Sequence, residues 1–545
     1  MSASFRNPLR PSSGRAVILL LAGAMFSLPA LPAETAPAPL AVAPARLTVA
    51  LARPATAPGA ASSEVPAGLD GAIEKAMRDW EIPGVAIAIV RKDRVLSARG
   101  YGVRQAGRPG RVDADTLFAI ASNTKAVTAT ALGLLVADGK AGWDDPVARH
   151  LPDLQMHDAW ASREMTVRDL LTHRSGLGTW AGDLIWYGSD FDRDEVLRRI
   201  RHVPPARGFR SGYGYCNLAF VAAGEIVPRL TGVSWDDFVT AKIFRPLGMK
   251  RTGTRVANLA RQDNVARPHT SIRGTLASVP YRDLDNTGPA GAINSTAAEW
   301  ARWIQLQLGG GVFEGRRIVP QAIVETTRTP QFILPIGEQW RRLSPTTHFS
   351  AYGLGWFLRD YHGRLVVSHG GGMDGMYSYT GFLPEEDLGV VVLTNRDDHE
   401  AESALFFTVV DAMLGLPRQD WSALLLADSR AAAAKQEPRR RVAGTSPALP
   451  AAGYAGIYVN PMLGGATVIA GDGGLRIELS HHRGLRGPLA HWHYDTFEAT
   501  WADPYFRTSL VTFAVDPAGR AAEFRVRIRE DFVDPLEYVF TKQPS

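Results

Sequence analysis

The sequence predicts a mixed α/β protein in two parts: an antiparallel sheet flanked by helices, interrupted by a helical subdomain, and then a separate all-β barrel. Three observations carry this. Strand-like runs stand near both ends of residues 66–426, with helical periodicity between them. A charged, Ala-rich stretch over 427–450 then interrupts the pattern as a linker. Across 451–545, short strand-like runs recur between glycine-bearing turns.

The chain has 545 residues, 45% of them hydrophobic and 21% charged, enough apolar side chain for more than one core. Fifty-three Gly and 36 Pro are ordinary for a globular protein of this size. Cys216 is the single cysteine, which excludes an intramolecular disulfide and a cysteine-based zinc knuckle. Residues 1–33 join a basic start to an apolar run over 16–28 and then Pro29-Ala30-Leu31-Pro32-Ala33, the pattern of a secretory signal peptide. That run is shorter than the roughly 20 residues a membrane span needs, so a secreted or periplasmic protein is expected. Removing Arg6, Arg10 and Arg15 with it lowers the net charge from +5 to +2, and no nucleic-acid partner is expected. Residues 34–65 are Ala/Pro-rich without aromatics and read as a flexible leader.

The elements follow in order. A helix over 69–80 places Ile73, Ala76 and Met77 on one face before Pro83-Gly84 stops it. Runs 85–90 and 95–101 form an antiparallel pair around Lys92-Asp93. A second helix runs from Ser122 to about residue 138, closed by Gly139. Thr166-Val167-Arg168-Asp169 fits a capping box. A helix over 296–308 and strands over 352–358, 365–368, 379–383 and 389–395 complete the first part. The second part shows seven strands, over 454–459, 466–469, 475–479, 497–501, 510–515, 524–528 and 536–540.

Three constellations carry chemistry. In Ser122-Asn123-Thr124-Lys125, residues three apart on a helix share a face, so the Lys125 amine reaches back to the Ser122 hydroxyl. The chain has 52 Arg and only eight Lys; arginine serves wherever fixed charge suffices, so a lysine beside a serine suggests a group that must give up its proton. Tyr215-Cys216-Asn217 presents a tyrosine and an amide together where a loop enters a helix near Leu218. A lysine ammonium nearby would lower the tyrosine pKa towards that of a general base. His369-Gly370-Gly371-Gly372 follows an apolar strand, where glycines admit a substrate backbone and N–H groups serve an oxyanion. Singly, each has a plain structural counterpart: an N-cap serine, a packed aromatic beside a turn asparagine, a glycine turn.

Competing chemistries lack their signatures. No serine has glycines two positions away on both sides, as an α/β-hydrolase nucleophile requires, and no phosphate-binding glycine-lysine loop is present. His481, His482, His491 and His493 could build a metal site, but no carboxylate pattern accompanies them, and histidines on a barrel surface are the plainer reading. No metal or cofactor is expected.

Together, in this order, the three motifs resemble the serine β-lactamase and penicillin-binding protein superfamily, in its class C β-lactamase-like branch. Leu171-Thr172-His173-Arg174-Ser175-Gly176-Leu177, Asp144-Asp145-Pro146-Val147 and Pro289-Ala290-Gly291 look like the family too, and the resemblance covers about residues 68–416. It implies a transpeptidase-like sheet, and segment 451–545 resembles the lipocalin-like barrel often appended to this branch. It further implies Ser122 as acylated nucleophile, Lys125 as its proton partner and Tyr215 as the base and acid. Asn217, His369 and Gly371 are implied on the substrate side, with an oxyanion hole from the N–H groups of Ser122 and Gly372. β-Lactamases of this family carry a lysine and a hydroxyl residue where His369 and Gly370 stand here. Peptide amides or esters, among them cell-wall or D-amino-acid peptides, are therefore expected over β-lactams. A β-lactamase, a D-Ala-D-Ala carboxypeptidase and a non-catalytic penicillin-binding sensor are the alternatives.

Overall fold

Every residue of Gly84–Val90 is buried, and a strand buried on both faces belongs inside a sheet. The computed structural model describes residues 64–544 apart from 260, 398 and 436. The expected signal peptide, and the leader but for its last two residues, lie outside the described residues. Gly84–Val90 is β1, followed by β2 (Val95–Gly102), β3 (Phe332–Leu334), β4 (Ser350–Tyr352), β5 (Phe357–Tyr361), β6 (Arg364–Met373), β7 (Met376–Leu383) and β8 (Leu388–Thr394). Their spatial order is β2-β1-β8-β7-β6-β5-β4-β3. β1 therefore pairs antiparallel with β8, from the other end of the domain, with Val85 opposite Thr394.

Period-two alternation divides the β1 side chains between two layers. Val85, Ile87 and Ile89 pack with α1 (Leu69–Asp79), α5 (Ala401–Leu414) and α6 (Trp421–Ala434). Ala86, Ala88 and Val90 share the opposite core with α2 (Thr124–Ala137), α3 (Asn217–Thr231) and α4 (Ala297–Leu308). The Thr166 capping box forms with both of its bonds, although its helix spans only Val167–Leu170.

Two strand expectations need correction. Run 352–358 is divided between β4 and β5 by a turn containing Gly355, which has φ 78°. A Cβ there would stand 2.8 Å from the Lys125 backbone, so the chain breaks in order to pack on α2. Run 365–368 continues to Met373, and the glycines stay in the ladder opposite β7.

The C-terminal unit is a closed barrel of eight consecutive antiparallel strands: β9 (Gly456–Asn460), β10 (Gly464–Gly471), β11 (Gly474–Leu479), β12 (Arg486–His493), β13 (Thr496–Thr500), β14 (Thr508–Val515), β15 (Ala521–Val526) and β16 (Tyr538–Lys542). The sequence reading missed β12. Gly487-Pro488 interrupts its apolar alternation, and a register shift lies between His491 and His493.

Candidate active site

Ser122 sits in a 3₁₀ turn, Ala121–Asn123, that runs directly into α2. Ala121 has φ 45°, a left-handed conformation that costs a non-glycine residue roughly 1–2 kcal/mol. Tertiary contacts hold it there. Asn123 Nδ2 donates to Ser378 Oγ at 2.9 Å, and Ser378 Oγ donates to the Ile120 carbonyl at 2.9 Å. Gly371 lies against the same carbonyl: a Cβ on it would stand 2.1 Å from Ile120 O, so only glycine lets β6 approach the turn.

Because α2 is buried on nearly every side, Lys125 is drawn fully out of water. Its Nζ lies 3.0 Å from Ser122 Oγ, 2.7 Å from Asn217 Oδ1 and 2.9 Å from the Ala290 carbonyl. Burial lowers its pKa to about 7, against the upward pull of Asp183 and Cys216. The partner set then fixes the proton geometry. Two partners are carbonyl oxygens, which only accept, so a neutral amine spends both N–H bonds on them and turns its lone pair to the Ser122 hydroxyl.

Asn217, the first residue of α3, donates from Nδ2 to Asp183 Oδ2 at 2.6 Å, which points its Oδ1 at Lys125. Both ends of the amide that the resemblance assigned to substrate are thus engaged within the protein. Asp183 also accepts from Trp186 Nε1 at 2.9 Å, and burial raises its pKa well above the ordinary carboxylate value.

Tyr215 hydrogen-bonds Ser122, but burial pushes its phenol above its ordinary value. The expected lowering by an ammonium is outweighed by this desolvation, although Lys125 Nζ lies over the ring face, 4.7 Å from the centroid. His173 stacks beneath that ring at 4.2 Å and 28°. Its Nδ1 accepts from Cys216 N at 3.0 Å, so Nε2 carries the proton; desolvation keeps the ring neutral.

His369 is buried and neutral, its pKa lowered to about 3 by desolvation and then by Lys125. Nδ1 donates to the Gly370 carbonyl, which leaves Nε2 to accept from the Tyr352 hydroxyl at 3.1 Å. It therefore presents no cation. Pairing of β5 with β6 ends at Phe357 opposite Ser368, so the β6 edge from His369 to Gly372 opens on a cavity of about 670 Å³. Ser122, Tyr215, Gly372, Trp180 and Phe532 also line it.

The four barrel histidines do not meet. His481 Nδ1 pairs with Asp190 Oδ1 at 2.7 Å, and His482 Nε2 donates to the Leu184 carbonyl at 2.7 Å. His491 bonds Tyr494 O, and His493 Nδ1 accepts from Val442 N. Among the described residues no group of three or more His, Cys, Asp or Glu could hold a metal ion. Sequence reasoning missed Asp183 and Tyr352 altogether and gave His173 no role; only its place in the 171–177 stretch marked it.

An open antiparallel sheet in which the first strand pairs with the last, with a serine-lysine turn facing a glycine-rich strand edge, defines the serine β-lactamase and penicillin-binding protein superfamily of hydrolases. The chain belongs to its Beta-lactamase family, whose model matches residues 69–412, while residues 440–540 match a family described as a domain of unknown function. An unguisins hydrolase of Aspergillus violaceofuscus is 27% identical over 83% of this chain and 86% of its own length. Penicillin-binding protein 4 of Amycolatopsis lactamdurans is 31% identical over 58% of this chain and 82% of its own. Among solved structures, the octameric penicillin-binding protein homologue from Pyrococcus abyssi shares the fold at TM-score 0.57 and 20% identity, covering 87% of this chain and 99% of that one. A D-amino acid amidase from Ochrobactrum anthropi SV3 matches at TM-score 0.51 and 25% identity, over 66% of this chain and 99% of that one.

Proposed function

We propose that this protein is an exported serine hydrolase that cleaves amide or ester carbonyls through an acyl-enzyme on Ser122. The observation that carries the reading is the Lys125 amine, desolvated and 3.0 Å from the Ser122 hydroxyl. Ser122 Oγ forms a bond to the substrate carbonyl carbon while its proton passes to Lys125, directly or through the Tyr215 hydroxyl. The oxyanion accepts from the N–H groups of Ser122 and Gly372. Collapse breaks the bond to the leaving group, which takes the proton back through Tyr215. Water then repeats the sequence on the ester and frees Ser122. Neutral His369 favours peptide amides and esters over substrates held by a carboxylate, and a D-amino acid amidase with this fold suits such a substrate. A fluorophosphonate probe should label Ser122 in the wild type and nothing in a folded Ser122→Ala variant. An adduct mapped to any other residue removes the mechanism.

A further inference from the structure

The barrel meets the hydrolase domain beside the chain of groups that holds the proton acceptor. Asp183, which orients Asn217, opens the 3₁₀ turn Asp183–Ile185. The next residue, Leu184, has both its backbone groups taken by the barrel. Its N–H donates to Asp534 Oδ2 at 3.0 Å, and its carbonyl accepts from His482 Nε2 at 2.7 Å. Asp534 and His482 are both fully buried. Asp534 is itself fixed: the Tyr538 hydroxyl and Leu536 N donate to it from the barrel, and the Gly182 backbone from the hydrolase domain. Phe532, six residues past the end of β15, lines the cavity and packs against Trp180 and Tyr377.

A barrel that served only as an appendage would not need to bury a carboxylate and an imidazole against one backbone residue, since each loses its hydration there. The gain lies in fixing Leu184, and with it Asp183, to which Asn217 and then Lys125 are bonded in turn. We propose that the C-terminal barrel is a positioning element of the reaction: Asp534 and His482 grip Leu184 and so hold the Asp183-Asn217-Lys125 chain in register with Ser122. The proposal rests on the acyl-enzyme reading above.

Its test uses the full chain and p-nitrophenyl acetate, whose small acyl group asks little of the cavity walls. Asp534→Ala should lower kcat roughly tenfold or more, as a small misplacement of reacting groups does, with KM nearly unchanged. Asp534→Asn keeps an acceptor for Leu184 N and should recover most of the loss. His482→Phe should behave as Asp534→Ala does, and His482→Gln, which keeps an N–H donor, should recover. Fluorophosphonate labelling of Ser122 should slow in parallel. Should Asp534→Ala fail to fold, the His482 pair decides. The proposal is overturned if kcat stays within about twofold of wild type, if KM alone changes, or if the Asn and Gln variants are as impaired as Ala and Phe. A wild type that does not label at Ser122 is the separate signature of a failed acyl-enzyme reading, and it removes this proposal as well.

Discussion

Replacing Lys125 with arginine keeps a positive charge and takes away a group that can be neutral. In the folded protein burial lowers the pKa of this amine to about 7, against an ordinary lysine value of 10.5. At pH 7 about half the molecules then hold a free lone pair on Ser122, where an unshifted lysine would offer about one in three thousand. The shift is worth about 5 kcal/mol, and its sign is set by burial. Because the folded pKa lies below the unfolded one, the unfolded chain binds more protons between about pH 7 and 10.5. Lys125 therefore weakens the fold fully below pH 7, and this penalty is relieved as pH rises across that window. Profiles of kcat/KM for an uncharged ester from pH 5 to 9 should show an acid limb near 7. Lys125→Arg should lose at least ~10²-fold in turnover and lose that limb. Lys125→Met should be inactive yet melt above the wild type at pH 6, because a buried charge has gone. An arginine variant with near wild-type turnover would show that Lys125 acts as a fixed cation, and the lone-pair argument would fall.

Gly371→Ala places a methyl 2.1 Å from the Ile120 carbonyl and must displace either the nucleophile turn or β6, so Ser122 labelling should slow roughly tenfold or more; a labelling rate equal to wild type would contradict the close approach. Asp169→Ala leaves Arg174 and Arg210 without their shared carboxylate and empties the Thr166 capping box, and should cost about 3 kcal/mol in urea unfolding. An unchanged midpoint would show that both guanidiniums are satisfied elsewhere. Since its partners hold Asp169 below the usual carboxylate range, its contribution is present above about pH 4 and fades as pH falls through the lowered folded value. His369→Lys supplies the missing cation, worth about 10- to 150-fold in binding a carboxylate, and should narrow the gap in kcat/KM between esters and cephalosporins. A wild type that already turns over cephalosporins at about 10⁶ M⁻¹s⁻¹ would reverse the substrate assignment.

Much of the fold was legible because its strongest signals are local. The 69–80 periodicity gives α1, and the uninterrupted apolar run at 85–90 gives a strand buried on both faces. What escaped was set by contact between distant segments. The turn that divides β4 from β5 exists because Gly355 packs on the Lys125 backbone, and nothing within 352–358 announces that neighbour. β12 escaped because Pro488 masks an alternation that the closed barrel nevertheless enforces, with Gly487 and Leu489 buried and Pro488 outside.

The site divides in the same way. Ser122 and Lys125 could be paired from spacing, since a separation of three brings them to one face even though Ser122 lies in the 3₁₀ turn before α2 and not, as expected, in the helix itself. The direction of proton flow could not, because a pKa depends on what encloses a group. Tyr215 and Lys125 were expected to share an ammonium's field, with the phenol lowered by it. Instead α2 is wrapped in apolar side chains, Lys125 itself loses its charge readily, and the phenol is raised. Burial does this, while the groups that orient the amine are Asp183 and Asn217 on one side and the Ala290 carbonyl on the other, brought together from three separate stretches of chain. A lysine in the sequence shows that a proton can be released there. Only the two carbonyl acceptors around it show where its lone pair must point.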